Sequence, residues 1–446
     1  MKVTIFGTGY VGLVTAGCLV QKNHEVICYD IDTTKIERLN KGNVPIFEPG
    51  LDELIAKGIN SGKLFFTTSP IDPLKNPDII IICVGTPDDG TGATNLNAIE
   101  SCAKIISELS ENSVPVLIKS TVPVGTAVKT QNLIKKGLKE RKIDISIPVA
   151  SNPEFLHEGC AISEFYNPDR IVLGTHDNHV IKVVNKLYKD VMPESNEIIV
   201  MSPESSELTK YASNSFLATK ISYMNQLSQF CSLVGANIDD VRKGMEPDPT
   251  ISPGYLYAGC GFGGSCLPKD ISSLIHQGSL MGKDLSILKA VREVNEIQKE
   301  YLFLIASDLF NNKFEDKKFA IWGLAFKPKT GDMREAPSLT IIKNLLDAGA
   351  KVECYDPVVS KDRENFPIQN ESLKIQPDPY EILIGADCLI ICTDWSEFKN
   401  INYEKLGRLM NRKTILDGRN ILNSEEAVLN NFEYYDIGRT KIDKIR

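Results

Sequence analysis

Apolar positions in the first third of the chain form short unbroken runs, separated by segments in which apolar residues recur at helical spacing. The segment YVGLVTAGCLVQKN (10–23) is a predicted helix of this kind. The predicted strands are KVTIFG (2–7), HEVICYD (24–30), DIIIICVGTP (78–87), VPVLIKSTV (114–122) and ISIPVASNPEF (145–155). Apolar strands that alternate with helices are typical of a parallel sheet covered on both faces.

The middle of the chain has helical spacing and few strand patterns. Residues 202–235 form one predicted long helix. Ser202 is its predicted N-cap, Pro203 is favourable in the first turn, and Gly235 is favourable as the residue that ends the helix. Residues 285–310 form a second, and a glycine-rich stretch (253–268) lies between them. Two long helices between α/β blocks indicate a spacer and a dimer interface.

The last part of the chain returns to the α/β pattern. FAIWGLAFKP (319–328) is a predicted strand and turn, residues 338–350 a helix, and KVECYDP (351–357) a strand that ends in Asp356. This order matches the N-terminal strand, glycine turn, helix, strand and aspartate, so it indicates an internal repeat. The alternative is that any two βαβ units look alike. The second copy lacks GxGxxG and is expected to bind something other than a dinucleotide.

The predicted fold is therefore α/β, with two Rossmann-like parallel-sheet domains joined by a long central helical region. The predicted boundaries are residues 1–200, 201–312 and 313–446.

Composition narrows the class of protein without identifying it. The chain has 446 residues and a formal net charge of −8, which disfavours nucleic acid or an anionic membrane as the main partner. It contains eleven cysteines without a disulfide-like spacing, so reduced thiols and a cytoplasmic location are expected. No run of 18 apolar residues predicts a membrane span, and no residue pattern predicts a metal site.

The sequence GTGYVG (7–12) follows a predicted strand and opens a predicted helix. Its glycines, Gly7, Gly9 and Gly12, suit the tight turn, the approach of a pyrophosphate and the packing of helix on strand. Asp30 ends the next strand, where a carboxylate binds a ribose diol and disfavours a 2′-phosphate, so NAD is predicted over NADP. Lys35 follows and is expected to balance that charge.

The sequence GFGGSCLPKD (261–270) places Cys266 behind three glycines and before Lys269 and Asp270. A thiol becomes a nucleophile where cations or helix N–H groups stabilise the thiolate. Glycines allow the backbone to approach a substrate closely. Behind a dinucleotide-binding domain, this loop predicts oxidation of an alcohol to an aldehyde, its capture as a thiohemiacetal, oxidation to a thioester and hydrolysis.

At this point the chain resembles the UDP-glucose/GDP-mannose dehydrogenase family over essentially its whole length. The motifs that carry the resemblance occur in order: GTGYVG (7–12), VGTP (84–87), KSTVPVGT (119–126), NPEFLHEG (152–159), ELTKYASNSF (207–216), GFGGSCLPKD (261–270), FKPKTGDMREAPS (326–338) and DGRN (417–420). Eight motifs in order exclude chance. The resemblance implies a four-electron oxidation of UDP-glucose to UDP-glucuronate with reduction of two NAD, through a Cys266 thiohemiacetal and thioester.

The resemblance also implies roles for individual residues. Cys266 resembles the family nucleophile and Asp270 its partner for the proton or the hydrolytic water. Lys210 and Asn214, four residues apart on one helix face, resemble the groups that stabilise the developing oxyanion. The remaining catalytic candidates are Glu154, for water activation, and Thr121, which positions water and contacts the cofactor.

Two larger sets are implied for the ligands. The residues expected to bind NAD are Gly7, Gly9, Tyr10, Val11, Gly12, Asp30, Lys35, Thr86, Thr121, Glu158, Lys269 and Arg334. The residues expected to bind the nucleotide sugar are Glu154, Phe155, Leu156, Lys210, Asn214, Tyr255, Leu256, Tyr257, Gly259, Gly263 and Lys327. The N-terminal domain is then the NAD domain, the central one holds the cysteine loop and dimer interface, and the C-terminal one binds the UDP-sugar.

Two positions depart from the family pattern. Thr250 stands where the family usually has an arginine that reaches the sugar, and losing that fork of donors is not conservative. His157 stands where arginine is commoner and is expected at the rim. Thr250 therefore leaves GDP-mannose or a UDP-N-acetylhexosamine open as the substrate. A two-electron hydroxyacid dehydrogenase would not need Cys266. A non-catalytic NAD-binding scaffold would not need Cys266, Lys210, Asn214 and Asp270 to be intact. A homodimer or higher homo-oligomer is expected.

Overall fold

The computed structural model describes residues 1–192, 197–361 and 366–439, and the chain divides into two compact units. The first unit comprises Met1–Ser213 and Ser272–Gly282, and the second comprises Asn214–Ile271 and Lys283–Arg446. Over the described ranges, no helix is long and apolar enough to cross a membrane. Over the same ranges, no group of three His, Cys, Asp or Glu side chains is placed to hold a metal ion.

The first unit is built on an eight-stranded sheet of order β3-β2-β1-β4-β5-β6-β7-β8. Its strands are β1 (Lys2–Phe6), β2 (Glu25–Tyr29), β3 (Leu64–Thr67), β4 (Ile79–Ile82), β5 (Val116–Ile118), β6 (Val149–Ser151), β7 (Ile171–Gly174) and β8 (Ile198–Met201). Its helices are α1 (Tyr10–Gln21), α2 (Thr33–Asn40), α3 (Leu51–Asn60), α4 (Asn97–Leu109), α5 (Thr126–Glu140), α6 (Ala161–Tyr166) and α7 (Asn178–Tyr188). All the strands predicted in this region are present.

One pairing in this sheet departs from the parallel prediction. Strand β6 pairs with β7 in the antiparallel sense through Ser151 and Gly174, whereas β7 and β8 are parallel to each other. The connection from β6 to β7 contains the short helix α6 (Ala161–Tyr166), and the chain re-enters the sheet in the opposite direction.

The second unit is built on a six-stranded parallel sheet of order β11-β10-β9-β12-β13-β14. Its strands are β9 (Lys318–Trp322), β10 (Lys351–Tyr355), β11 (Leu373–Ile375), β12 (Cys388–Ile391), β13 (Thr414–Asp417) and β14 (Glu433–Asp436). Its helices are α9 (Ile238–Met245), α11 (Ser286–Leu309), α12 (Pro337–Asp347), α13 (Tyr403–Leu409) and α14 (Ser424–Leu429). Helices α8 (Pro203–Val234) and α10 (Leu267–Leu280) each contribute residues to both units.

The internal repeat is confirmed by the strand order and by matching hydrogen bonds. The orders β3-β2-β1-β4-β5 and β11-β10-β9-β12-β13 are the same. Gly7 donates its backbone N–H to Tyr29 O at 2.8 Å, and Gly323 donates to Tyr355 O at 2.8 Å. Both glycines have positive φ, +99° and +89°, a conformation that glycine adopts without the steric cost of a Cβ.

The two long central helices are confirmed, and their ends follow the predicted chemistry. The Ser202 hydroxyl accepts a hydrogen bond from Ser205 N at 3.1 Å, as an N-cap does. Gly235 has a φ of +74° directly after α8, which suits a helix stop. The sequence did not predict α10 (Leu267–Leu280), which begins one residue after Cys266 and overlaps the last two residues of the glycine-rich stretch (253–268).

Apolar side chains cover both faces of each sheet, which is why the strands read as continuous apolar runs. In the first unit, Ile5 and Ile81 lie in the cluster on one face, and Ile80 and Ile82 in the cluster on the other. In the second unit, Ile390 and Leu416 face one cluster and Leu389 the other. This packing fixes the carboxyl ends of the strands, where the candidate residues lie.

Candidate active site

The glycine turn after β1 has room for a ligand at one of its three glycines. A Cβ on Gly7 would lie 2.7 Å from Cys83 O, and one on Gly12 would lie 2.1 Å from Gly7 O. A Cβ on Gly9 meets no described heavy atom within 4 Å beyond its chain neighbours. The first and third glycines are therefore required by packing. The second borders open space at the N-terminus of α1, where a pyrophosphate fits.

The Asp30 carboxylate lies beside this turn. Its Oδ2 atom accepts hydrogen bonds from Thr8 N at 2.8 Å and Thr8 Oγ1 at 2.7 Å, and Lys35 Nζ lies 3.3 Å from it. Burial raises the pKa of Asp30, but the Thr8 hydrogen bonds and Lys35 outweigh it and leave the pKa below its usual value. Oδ1 accepts from Asp32 N at 3.1 Å and retains capacity for a further donor.

Tyr10 and Glu158, two predicted cofactor contacts, lie near a carboxylate that the sequence analysis missed. The buried Glu48 accepts hydrogen bonds from the Tyr10 hydroxyl and, at 2.5 Å, from Gly159 N. Burial raises the pKa of Tyr10, as do the hydrogen bond to Glu48 and the negative charges of Glu48 and Glu158. Glu48 thus joins the start of α1 to the NPEFLHEG segment. Val11, the neighbour of Tyr10, packs on the core.

Thr86 and Thr121 are brought into direct contact. Thr86 Oγ1 donates to Thr121 O at 2.8 Å, so the turns after β4 and β5 are held together. A second missed carboxylate, Glu207 on α8, accepts from Gly125 N at 2.6 Å and Ala127 N at 2.7 Å. Burial raises the pKa of Glu207 to about 7 despite these bonds. Glu207 lies three residues before Lys210 on α8, and that spacing was the available signal.

Glu154 and Lys210 form a buried ion pair. Lys210 Nζ lies 3.1 Å from Glu154 Oε1, and their side chains are 4% and 7% exposed. Burial would raise the pKa of Glu154, but the Lys210 ammonium and the Leu156 N–H lower it below its usual value. The Phe155 ring lies 4.0 Å from the Arg170 guanidinium. The structure therefore holds Glu154 as a carboxylate and keeps a positive charge beside it.

In the second unit, Asn214, Lys269 and Asp270 converge. Asn214 Nδ2 donates to Asp270 Oδ2 at 2.6 Å, and Lys269 Nζ lies 2.6 Å from Asp270 Oδ1. Asp270 is completely buried, so each carboxylate oxygen has a donor, as a buried carboxylate requires. Helix α8 is continuous, so Lys210 and Asn214 lie one turn apart along it.

Cys266 directly precedes α10. Its carbonyl accepts a hydrogen bond from Asp270 N at 2.9 Å, which is the first intrahelical bond of that helix. Its side chain is exposed, and its Sγ lies 3.4 Å from Ser265 Oγ. A helix N-terminus favours negative charge, so the position suits a thiolate. Nine of the eleven cysteines are buried, and the other exposed one is Cys160.

The segment predicted to bind the sugar (255–259) has some exposed and some buried residues. The Tyr257 ring is exposed and stacks 4.4 Å from the Arg242 guanidinium, and Tyr255 has a φ of +66°. The Leu256 side chain is buried beside Met224, so Leu256 has only its backbone to offer a ligand. A Cβ on Gly259 would lie 3.1 Å from Arg419 Nη1, which leaves little space there.

Lys327, Arg334 and Thr250 each lie against a side chain that is close in sequence. Lys327 Nζ lies 5.5 Å from the centre of the Phe326 ring. The exposed Arg334 side chain pairs with Asp332 through Nε at 2.9 Å and Nη2 at 2.7 Å. Thr250 Oγ1 donates to Asp248 Oδ1 at 2.6 Å, so its hydroxyl closes a local turn.

His157, the second departure from the family pattern, forms a local contact in the first unit. Its Nδ1 lies 2.8 Å from Glu164 Oε1. The side chain is partly exposed, and its place at the rim of the site stays a prediction.

Three family models match the chain, and together they cover most of it. They describe the NAD-binding domain (residues 1–192), the central domain (204–297) and the UDP-binding domain (320–424) of the UDP-glucose/GDP-mannose dehydrogenase family. NAD is therefore the cofactor, and the residues around Gly9 and Asp30 fit it.

Individual relatives cover almost the whole chain. The UDP-glucose 6-dehydrogenase of Pseudomonas aeruginosa is 38% identical over 444 residues, which are 99% of this chain and 98% of that protein. A solved UDP-glucose dehydrogenase from Pyrobaculum islandicum has a TM-score of 0.88 at 32% identity and covers 99% and 98% of the two chains. A UDP-D-ManNAc dehydrogenase structure from Pyrococcus horikoshii has a TM-score of 0.86 at 28% identity, covering 99% and 100%.

The geometry at Asp30 generates a prediction for cofactor binding. Asp30→Ala removes the carboxylate acceptor for the ribose, and hydrogen bonds to charged groups contribute about 1.5–3 kcal/mol. NAD affinity, measured by calorimetry, should fall roughly 10- to 100-fold. Asp32→Ala is the matched control, since Asp32 caps α2, and it should retain affinity. Unchanged affinity in Asp30→Ala would show that the ribose is held elsewhere.

Proposed function

Because the chain belongs to the UDP-glucose/GDP-mannose dehydrogenase family, we propose that it oxidises UDP-glucose to UDP-glucuronate and reduces two NAD per sugar. The relatives named UDP-glucose 6-dehydrogenase support this substrate. The observation that carries the chemistry is the position of Cys266, which is exposed at the start of α10, four residues before the buried Asp270. A two-electron alcohol dehydrogenase has no use for such a thiol.

The first oxidation converts the C6 alcohol of the sugar to an aldehyde. The C6 hydroxyl loses a proton and C6 loses a hydride, for which NAD, held by the residues around Gly9 and Asp30, would supply the acceptor. We assign stabilisation of the developing oxyanion to Lys210 and Asn214, one turn apart on α8. Lys210 suits this role because Glu154 holds its charge in a buried setting, where electrostatic stabilisation is strong. Thr121 is assigned to water and cofactor positioning.

The second oxidation passes through a covalent bond to Cys266. The thiolate adds to the aldehyde carbon, and the resulting oxyanion takes up a proton to give a thiohemiacetal. The thiohemiacetal then loses a proton and a second hydride to give a thioester, and a second NAD would supply the hydride acceptor. Water then attacks the thioester, and the thiolate leaves as the acid is released. We assign proton transfer to Asp270, which is held by Asn214 and Lys269, with Glu154 activating water.

The remaining predicted contacts are retained as part of the proposal. On the cofactor side they are Tyr10, Val11, Lys35, Thr86, Glu158, Lys269 and Arg334, and on the substrate side Phe155, Leu156, Tyr255, Leu256, Tyr257, Gly259, Gly263 and Lys327. The division into an NAD domain (1–200), a central domain (201–312) and a UDP-sugar domain (313–446) is also retained. A reactive thiol at Cys266 requires a reducing compartment, so we place the protein in the cytoplasm.

One observation favours a second substrate. Thr250 closes a local turn on Asp248 and offers no fork of donors to a sugar. The relative from Pyrococcus horikoshii is a UDP-D-ManNAc dehydrogenase. The alternative is therefore the same mechanism on a UDP-N-acetylhexosamine or on GDP-mannose.

The number of NADH formed per sugar tests the proposed reaction. With limiting UDP-glucose and excess NAD, absorbance at completion should give two NADH per sugar, because both oxidations use the same cofactor. One NADH per sugar would show that the reaction stops at the aldehyde and would remove the thioester role of Cys266. No NADH with UDP-glucose, but two with GDP-mannose or a UDP-N-acetylhexosamine, would establish the alternative.

Substitution of the nucleophile tests the covalent step. Cys266→Ser should abolish turnover and leave NAD affinity unchanged, since the glycine turn and Asp30 are intact. Cys160→Ser is the matched control, because Cys160 is also exposed, and it should keep its activity. Normal turnover in Cys266→Ser would exclude the covalent mechanism.

We also propose that the chain is a homodimer that associates through α8. Phe216, Tyr223 and Phe230 are 64%, 52% and 57% exposed. A spacing of seven residues is close to two helical turns, so these aromatic side chains share one face. Leu233 and Val234 extend the exposed apolar surface. An exposed apolar surface of this kind marks an interaction site, and its place on the central helix supports a second copy as the partner.

Charge placed on this face tests the dimer. Phe216→Glu combined with Phe230→Glu should convert a dimer to a monomer in sedimentation velocity, because two carboxylates would be buried without partners. Leu429→Glu is the control, because Leu429 is also highly exposed but lies on α14 and not on α8. This variant should leave the dimer intact. A monomeric wild type, or a double variant that remains dimeric, would contradict the proposal.

A further inference from the structure

The backbone that leads to Cys266 is buried and tightly packed, although its sequence suggests an open, flexible loop. Residues 259–264 are all buried. A Cβ on Gly263 would lie 2.3 Å from Glu335 O, and one on Gly264 would lie 2.9 Å from the Phe326 ring. Gly261 and Gly264 have positive φ, +102° and +87°. The glycines are therefore needed for close packing within the protein, and the segment has a fixed conformation.

The polar backbone groups at both ends of this segment are bonded to other elements of the second unit. Gly259 N donates to Asn225 Oδ1 at 2.8 Å, and Gly259 O accepts from Gln298 Nε2 at 2.7 Å. Cys260 N donates to Gly418 O at 2.9 Å, and Gly264 N donates to Arg334 O at 2.7 Å. These bonds come from α8, from α11 and from the turns after β13 and β9.

Asn295 on α11 bonds the middle of the segment twice. Its Oδ1 accepts from Phe262 N at 2.8 Å, and its Nδ2 donates to Phe262 O at 3.0 Å. The Asn295 side chain is 1% exposed. It completes both hydrogen bonds of one residue, much as a neighbouring strand would. Asparagine favours helix interiors less than alanine or leucine, so local helix stability does not explain its place in α11.

We propose that Asn295 is a positioning residue for Cys266. It fixes Phe262, four residues before the thiol, and thereby holds the segment that leads into α10 in one conformation before substrate binds. The inference rests on the proposed covalent role of Cys266. A nucleophile held in place avoids the loss of rate that follows from misplacement by even 1 Å, which is on the order of 100-fold.

The test combines hydrogen exchange with steady-state kinetics on the full-length protein. In Asn295→Ala, Phe262 N and O lose their partners, so the peptide containing 259–266 should exchange faster by mass spectrometry. The turnover number should fall about 10- to 100-fold. The KM for NAD should change less than about twofold, since the cofactor residues around Gly9 and Asp30 are unaltered. Activity is expressed per folded protein, measured by circular dichroism.

Ser222→Ala is the matched control. Ser222 is also buried, and its Oγ donates to Val291 O on α11 at 2.9 Å, so the variant loses a bond between α8 and α11 without touching the segment. It should leave exchange in 259–266 and the turnover number per folded protein unchanged.

Asn295→Asp separates a positioning role from a structural one. A protonated carboxyl offers the same donor and acceptor as the amide, whereas the carboxylate offers only acceptors. The turnover of Asn295→Asp relative to wild type should therefore rise as the pH falls. Asn295→Leu, which fills the volume without either bond, should show a flat ratio.

Three outcomes would overturn the inference. They are faster exchange in 259–266 with an unchanged turnover number, an equal loss per folded protein in Ser222→Ala, and identical pH profiles for Asn295→Asp and Asn295→Leu. Failure of the proposed function is distinguishable, because wild type would then form no NADH from UDP-glucose, while the exchange result would still report whether Asn295 anchors the segment.

Discussion

Both sheets depend on one constraint, which is that the backbone amides in the turn after the first strand of each repeat need acceptors. A carboxylate after the second strand supplies them in each case. Asp30 accepts from Thr8 N, and Asp356 accepts from Leu324 N at 2.9 Å and Ala325 N at 3.2 Å. Since amides without partners are costly to bury, this contact fixes the conformation of the turn that follows the first strand of each repeat.

The same carboxylate position has different chemistry in the two units. Asp356 is fully buried, and it also accepts from Trp395 Nε1 and from Val358 N and Val359 N. Its oxygens are committed to the protein, which agrees with the absence of GxGxxG in this repeat. The Asp30 side chain is 11% exposed and its Oδ1 has one backbone donor. The two repeats thus share the carboxylate that binds the turn after the first strand, but only in the first repeat can a ligand also bind that carboxylate.

Sequence patterns predicted what depends on local periodicity and missed what depends on contacts distant in sequence. The strands around Ile5 and Ile80 and the helix from Pro203 were predicted because their apolar spacing records the environment of each element. The antiparallel β7 was missed, as were Glu48 and Glu207. The partners of Glu48, Tyr10 and Gly159, lie 38 and 111 residues away. The glycines before Cys266 predict close approach of the backbone to a substrate, whereas the structure packs them against the protein itself, because composition does not show what fills the space around them.

The packing around Gly263 and Gly264 has a consequence for reading related sequences. The atoms that exclude a side chain there are Glu335 O and the Phe326 ring, and both belong to the protein. In this chain both glycines are therefore set by internal packing, whichever sugar it oxidises. The GFGG sequence is therefore a mark of architecture and carries little information on specificity. Substrate assignments across such proteins are better based on side chains that face the ligand than on the strength of this motif.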